Sequence, residues 1–386
     1  MGSIGVIRSL GKAGYEVIAS SPVRAAIGLR SNFACGALIS PTSDEEGGSR
    51  LRNWLAETIE RDSIAAIVPS ESVLLALKPL YADFRNVLPF SSDASVVFAG
   101  MSKFDVSERL QELLTADAFV PQTVLIRRHE DQPSTEERLR TLRGPIFAKV
   151  DSIHGDSVLP SLVKRFNTHS EAFRGIECLL GRYDRVLVQD YVPGVGVGVF
   201  LLRWNDRILA RFMHRRLHEV PHTGGASSYR RAWWNDDLFV DAVRRLAALH
   251  WQGVAMLEYR WDPKSNRFWF IEMNGRFWGS IHLALYAGVD FPTLLLDAFF
   301  GSERECLSFD LSTRSRWTFP REVEYVWSRL KDDELPLRSR GWSLLEFFLL
   351  CFDPRVRSDL NFPGDRMLYL RALRQSIARW SGRELR

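Results

Sequence analysis

The clearest hydrophobic pattern in the chain lies just past its middle. Between Gly253 and Arg276, two apolar, aromatic-rich runs flank Asp262-Pro263-Lys264-Ser265-Asn266, a cluster of turn-formers, and predict a β-hairpin. Side chains alternate faces along a strand, so Glu272 and Asn274 are expected on one face with Phe270. On the first strand Glu258 shares a face with Met256 and Val254. A turn centred near Ser265 brings it opposite or nearly opposite Glu272.

Residues 1–92 alternate between helical and strand patterns. Ile4, Ile7 and Leu10 predict a helix over 2–14 closed by Gly14. Residues 16–20, 35–39 and 65–69 read as strands, with helical stretches at 43–59 and from Val73. Strands separated by helices imply a parallel, doubly wound α/β sheet. Such a sheet normally opens with an apolar strand that lies centrally. Here Gly2-Ser3-Ile4-Gly5 resembles the turn and helix that follow that strand. The domain is therefore expected to lack its first strand, and a start upstream of Met1 is favoured over a rearranged sheet.

A second unit spans residues 93–302. Met101-Ser102-Lys103-Phe104 opens an amphipathic helix with Val106, Leu110, Leu113 and Leu114, and strand patterns follow at 144–150 and 185–194. A basic strand over 212–221 leads to Thr223-Gly224-Gly225, then come a helix at 237–251, the hairpin, and helical sequence over 280–300. Residues 303–386 form an arginine- and tryptophan-rich helical extension. Its residues 342–352 are apolar on nearly all sides and are expected to be buried, covered by the basic amphipathic helix of 366–380 or by an oligomer partner. The rival reading lays that basic helix on an anionic membrane.

Composition narrows the class. With 46% apolar and 25% charged residues in 386, the chain is globular, and its formal charge of +4 does not point to nucleic acid. Four cysteines stand far apart without paired spacing, which predicts reduced, mostly buried thiols and a cytosolic location. No signal-peptide pattern opens the sequence, and the longest apolar stretch, 347–352, is too short to span a bilayer.

The candidate chemistry begins with the two glutamates. Like charges opposed across a sheet are destabilising, by up to about 1 kcal/mol where solvated and by more where buried. A cation between them removes that penalty, and two carboxylates with an amide oxygen suit Mg²⁺ carried in with nucleotide phosphates. On geometry alone, an edge hairpin with solvated glutamates fits equally well. Lys149 sits among apolar neighbours in a strand, so its ammonium needs an anion. Arg215 and Arg216 end a strand before a glycine hinge and suit a triphosphate or an acyl phosphate; a basic surface strand is the alternative. His214, His218 and His222 recur every four residues, but a strand splays them and no further ligand accompanies them, so zinc is set aside.

The string Phe270-Ile271-Glu272-Met273-Asn274-Gly275-Arg276 resembles the metal-binding strand of the ATP-grasp superfamily, for instance in biotin carboxylases and D-alanine–D-alanine ligases. The resemblance covers 93–301 by motif and 1–92 by pattern. It implies an α+β ATP-binding domain of two subdomains, with ATP and Mg²⁺ (Mn²⁺ as the alternative) as cofactors. Glu258, Glu272 and Asn274 become metal ligands, and Arg276 a holder of the substrate carboxylate or the transferred phosphoryl group. Lys103 and Lys149 become phosphate contacts, and 152–157, including Gly155, the loop over the triphosphate. Gln189, Asp190, Tyr191 and Val192 become the hinge that reads adenine. Many relatives hold the ribose with a Glu after that hinge, where this chain has Val195-Gly196-Val197-Gly198. The implied reaction is carboxylate activation as an acyl phosphate followed by attack of an amine or other nucleophile. The partners are then small molecules, with a homo-oligomer compatible and the N-terminal domain on the acceptor side. A phosphotransferase on the same fold and a non-catalytic nucleotide-binding or membrane-peripheral protein are the rivals.

Overall fold

In the computed structural model, residues 1–43, 45–114, 119–130, 132–151, 153–154, 157–158 and 162–380 are described. The chain opens with helix Gly2–Lys12, whose Val6 and Leu10 point into a core. Ile18–Ser21 (β1) and Gly36–Ile39 (β2) pair in parallel, and helices Ser49–Asp62 and Glu71–Leu77 follow. The third expected strand does not form a ladder. Residues 65–69 run between these helices, and Ile67 donates its N–H to the Val87 carbonyl at 2.7 Å. Among the described residues β1 pairs with β2 alone.

Helix Lys103–Leu113 leads into a four-stranded antiparallel sheet. Its strands are Thr123–Arg127 (β3) and Ile146–Val150 (β4), then, past the two-residue hairpin Ile153–His154 (β5) and Ser157–Val158 (β6), Leu162–Phe166 (β7) and Arg185–Asp190 (β8). They are ordered β3-β8-β4-β7. Helix His169–Leu180 packs Ala172, Ile176 and Leu179 onto this sheet, giving the unit a core of its own.

The remaining strands build a seven-stranded sheet. They are Val195–Trp204 (β9), Arg207–Val220 (β10), Ala226–Ala232 (β11), Gly253–Trp261 (β12), Phe268–Asn274 (β13), Arg314–Arg316 (β14) and Val356–Ser358 (β15), ordered β13-β12-β9-β10-β11-β14-β15. The extension after Gly301 is thus not purely helical, since β14 and β15 continue the sheet. Strand β9 shows why the sheet is central. Val197, Val199 and Leu201 face a core shared with Leu51, Leu74 and Leu77 of the N-terminal region. Phe200, Leu202 and Trp204 face a second core shared with Val6, Leu10 and the helices Ile281–Tyr286 and Phe291–Phe299. A strand buried on both faces reads as a continuous apolar run, and this one does.

The C-terminal region departs from expectation. Residues 342–352 belong to helix Leu337–Phe352 but are not buried: Trp342 is 56% and Phe352 83% exposed. Helix Met367–Trp380 does not cover them. It packs instead on Ile27–Arg30 and Thr318–Glu322, with Gln375 Nε2 bonded to Ala25 O at 2.8 Å. The four cysteines are free, and Cys35, Cys178 and Cys351 are exposed rather than buried. Helices Val323–Leu330 and Leu337–Phe352 are clamped to the end of β10 by histidine–carboxylate pairs. His218 Nδ1 lies 3.1 Å from Glu322, its Nε2 3.6 Å from Glu346, and its ring stacks on Tyr325. His222 meets Asp332 at 2.8 Å.

Burial alone would lower the His218 pKa, but hydrogen bonds to Glu322 and Glu346 raise it to about 9. A raised histidine pKa adds stability that is complete below the unfolded value of about 6.5 and is lost as pH climbs through about 9. His218→Gln is therefore expected to remove a fall in melting temperature between these two values. An identical pH profile in wild type and variant would refute the clamp.

Candidate active site

The hairpin β12–β13 sets Glu258 directly opposite Glu272, and Met256 opposite Asn274. One expectation needs correction: Phe270 does not share a face with Glu272 and Asn274. The ladder passes from Tyr259–Phe270 to Glu258–Glu272 and leaves Ile271 unpaired, a β-bulge that reverses the alternation. Phe270 and Met273 therefore enter the core, while Glu272 and Asn274 turn to the face carrying Glu258. The bulge also frees a carbonyl. Lys149 of β4 reaches across from the other sheet and donates to Ile271 O at 3.3 Å.

Three cations surround the two acids. Lys103 Nζ is 3.8 Å from Glu272 Oε2, Lys149 sits between the sheets, and Arg216 of β10 pairs with Glu258. Arg216 also meets Glu219 at 3.3 Å and the Gly225 carbonyl at 3.0 Å. The Asn274 amide bridges both glutamates, at 3.3 Å to Glu258 and 3.5 Å to Glu272. Burial pushes the Glu272 carboxyl up, yet Lys103 and Lys149 more than reverse this and hold it below its ordinary value. Burial dominates at Lys149 and lowers its pKa against the pull of Glu272 and Glu258.

The Val-Gly-Val-Gly run of β9 has a steric explanation. Val197 and Val199 fill the core, while Gly196 and Gly198 lie on the site face beside β10 and β12. A Cβ on Gly196 would lie 2.4 Å from Glu219 Oε1 and 2.7 Å from Arg216 Cδ. The glycine clears room for the guanidinium. Gly275 is similar, since a Cβ there would lie 2.4 Å from the buried Trp251 ring. His214 shares the face, buried beside Phe200, and burial drives its pKa well below the ordinary histidine value.

Asp151, which the sequence pattern does not single out, joins the two lysine-bearing elements. Its carboxylate accepts from Ser102 Oγ at 2.6 Å, Lys103 N–H at 2.9 Å and Phe104 N–H at 3.1 Å. It thus caps helix Lys103–Leu113 two residues after Lys149. Gln189 and Lys149 share a face of the four-stranded sheet, through pairings with Phe147 and Leu187. Gln189 Nε2 bonds to Thr123 Oγ1 at 3.1 Å and lines a cavity of about 180 Å³ with Leu110, Leu114, Val120 and Phe270.

Other predicted site residues stand apart from this cluster. Asp190 faces away from Gln189 and accepts from the Arg143 N–H at 2.6 Å. Tyr191 is exposed and stacks on Phe147, its N–H held by Pro145 O at 2.9 Å; Val192 follows, half-buried. Arg215 lies on the opposite face from Arg216 and covers the Trp261 ring at 5.6 Å. Arg276, two residues past β13, turns toward the N-terminal region and pairs with Glu71 at 2.6 Å. Gly155 lies outside the described residues.

No protein-family model and no curated protein matches the sequence. The structure, by contrast, is similar to solved enzymes. Biotin carboxylase from Campylobacter jejuni superposes with a TM-score of 0.61 at 13% identity, over 81% of this chain and 72% of that one. N5-carboxyaminoimidazole synthetase from Staphylococcus aureus gives 0.58 at 16% identity, over 80% and 77%. Phosphoribosylglycinamide synthetase from Anaerococcus prevotii gives 0.55 at 14%, over 78% and 73%. The chain has the ATP-grasp fold. In that fold the paired acids of β12 and β13 and the lysine of β4 face each other across the gap between the two ATP-grasp sheets. Two carboxylates and an amide that can turn its oxygen inward form a donor set suited to a hard divalent cation.

Asp151→Ala removes three accepted hydrogen bonds, two of them from the first N–H groups of helix Lys103–Leu113, and leaves the Ser102 cap in place. It is expected to destabilise the protein by about 1–3 kcal/mol, read as a lower urea midpoint. A midpoint equal to wild type would show that Lys103 is positioned by other contacts.

Proposed function

We propose that the protein is an ATP-dependent ligase that activates a carboxylate as an acyl phosphate and couples it to an amine or another nucleophile. The observation that carries this reading is the in-register pair Glu258–Glu272, bracketed by Lys103, Lys149 and Arg216. Each acid is compensated by a neighbouring cation. Glu258, Glu272 and Asn274 would hold the metal, and Lys103, Lys149 and Arg216 would hold the phosphates of Mg-ATP. Bound there, the metal would supply neutralisation of phosphate charge. Mn²⁺ suits the same oxygen donors.

The chain's own residues do the rest by position. Lys149 from the four-stranded sheet and Lys103 from the start of its helix, joined through Asp151, would hold the phosphates, and Arg216 would stabilise charge that develops on the transferred phosphoryl group. Gln189, which lines the cavity with Leu110 and Val120, would meet the adenine edge. The backbone of Tyr191 and Val192, next along the chain, would follow it. Arg276, partly exposed and held by Glu71, offers a guanidinium to the acceptor carboxylate, which displaces Glu71. Supporting analogies come from the neighbours: one biotin carboxylase structure is a complex with beta-gamma-ATP and one N5-carboxyaminoimidazole synthetase structure a complex with ADP.

Incubation with ATP, Mg²⁺ and pools of amino acids and other carboxylates should release ADP, with a ligated product found by mass spectrometry. A phosphorylated substrate instead would make the protein a phosphotransferase. Lys149→Ala should weaken ATP binding at least about tenfold, since a charge-assisted contact is lost. Glu272→Gln should keep the melting temperature near wild type and lower turnover by at least about a hundredfold. Calorimetry giving wild-type ATP affinity for Lys149→Ala would refute the site.

A further inference from the structure

Helix Leu337–Phe352 is built inside out. The side toward the protein is polar: Ser339 and Ser343 each accept from the Arg329 guanidinium at 2.6 Å, and Glu346 lies 3.6 Å from His218. The side toward water is apolar, with Leu337, Trp342, Leu345, Phe348, Leu349 and Phe352 all exposed. Rotating the helix to bury these side chains would break the bonds that hold it, so the apolar face stays outward. A contiguous apolar face of this kind marks an interaction surface.

Charge selects the occupant. Every carboxylate from residue 337 to 380 is engaged within the protein. Glu346 meets His218, Asp353 meets Arg355, Asp359 meets Arg230 and Asp365 meets Arg8. Just upstream, Asp332 and Asp333 are tied to His222 and Arg340. Five arginines of the same stretch reach solvent instead: Arg338 on the helix itself, Arg357 just past it, and Arg366, Arg371 and Arg374 on or beside helix Met367–Trp380. A second copy of the chain, docked on this face, would bring two such basic stretches together. An anionic lipid surface complements both the apolar face and this basic stretch. No described helix is long and apolar enough to cross a membrane, and an amphipathic helix that binds a bilayer without spanning it lies in the plane of the interface.

We infer that helix Leu337–Phe352 docks the protein on an anionic membrane, its apolar side chains among the acyl chains and the arginines at the headgroups. None of these apolar side chains belongs to the Glu258–Glu272 cluster.

Vesicle flotation tests this with the full chain. Wild type is expected to float with phosphatidylcholine vesicles containing phosphatidylglycerol, and much less with phosphatidylcholine alone. The exposed pair Trp342→Ser/Phe348→Ser should lower the bound fraction at least about tenfold, and Arg366→Gln/Arg374→Gln should erase the preference for anionic lipid. Neither should shift the melting temperature or ATP binding. Absence of wild-type protein from anionic vesicles overturns the inference. So does flotation unchanged by the apolar pair, or a dimer in sedimentation velocity that the apolar pair dissociates.

Discussion

The site depends on a repulsion held in place by its surroundings. Two carboxylates directly opposed on neighbouring strands would drive those strands apart if left alone, at a cost that grows as water is excluded. Here each acid is met from a different element: Glu272 by Lys103 at a helix start, Glu258 by Arg216 on β10, both by the Asn274 amide, with Lys149 facing them from the other sheet. The bulge at Ile271 makes the arrangement possible, since it turns Glu272 out of the core and offers its own carbonyl to Lys149. One unpaired residue thus sets the direction of an acid and the seat of a cation.

Much of this was legible in the residues. The hairpin, its turn and the opposition of Glu258 and Glu272 follow from alternation and turn chemistry, and the isolated Lys149 announces an anion by its burial. The bulge was not legible, because period-two alternation carries no mark of one inserted residue. Phe270 was therefore assigned to the wrong face. Asp151 was missed for a related reason. A carboxylate that caps a helix almost fifty residues earlier leaves no local pattern. Arg215 and Arg216 are adjacent in sequence, and only the register tells which of them faces the acids.

The fold errors have the same origin. Residues 65–69 have strand composition, but a ladder needs a neighbour, and composition does not say whether one is present. Residues 342–352 look like core because apolar residues usually are. What reverses this is the set of partners inside: Ser339, Ser343 and Glu346 find hydrogen-bonding groups on Arg329 and His218, which are distant in the sequence. Polarity facing inward was the better-satisfied orientation.

The four-stranded sheet carries a consequence for motion. Its core, built from residues such as Val124, Ile146, Phe166 and Ile176, is separate from the two cores that flank β9. Among the described residues, the small cluster Phe104, Leu125 and Leu187, the ion pairs Arg185–Asp105 and Arg127–Glu108, the bonds of Asp151 and the bond from Lys149 to Ile271 stand between it and the rest. Swinging this unit outward leaves every large core intact. The work is a few hydrogen bonds, two ion pairs and one small apolar cluster, so this unit can turn as a rigid body with no unfolding on either side of its hinge.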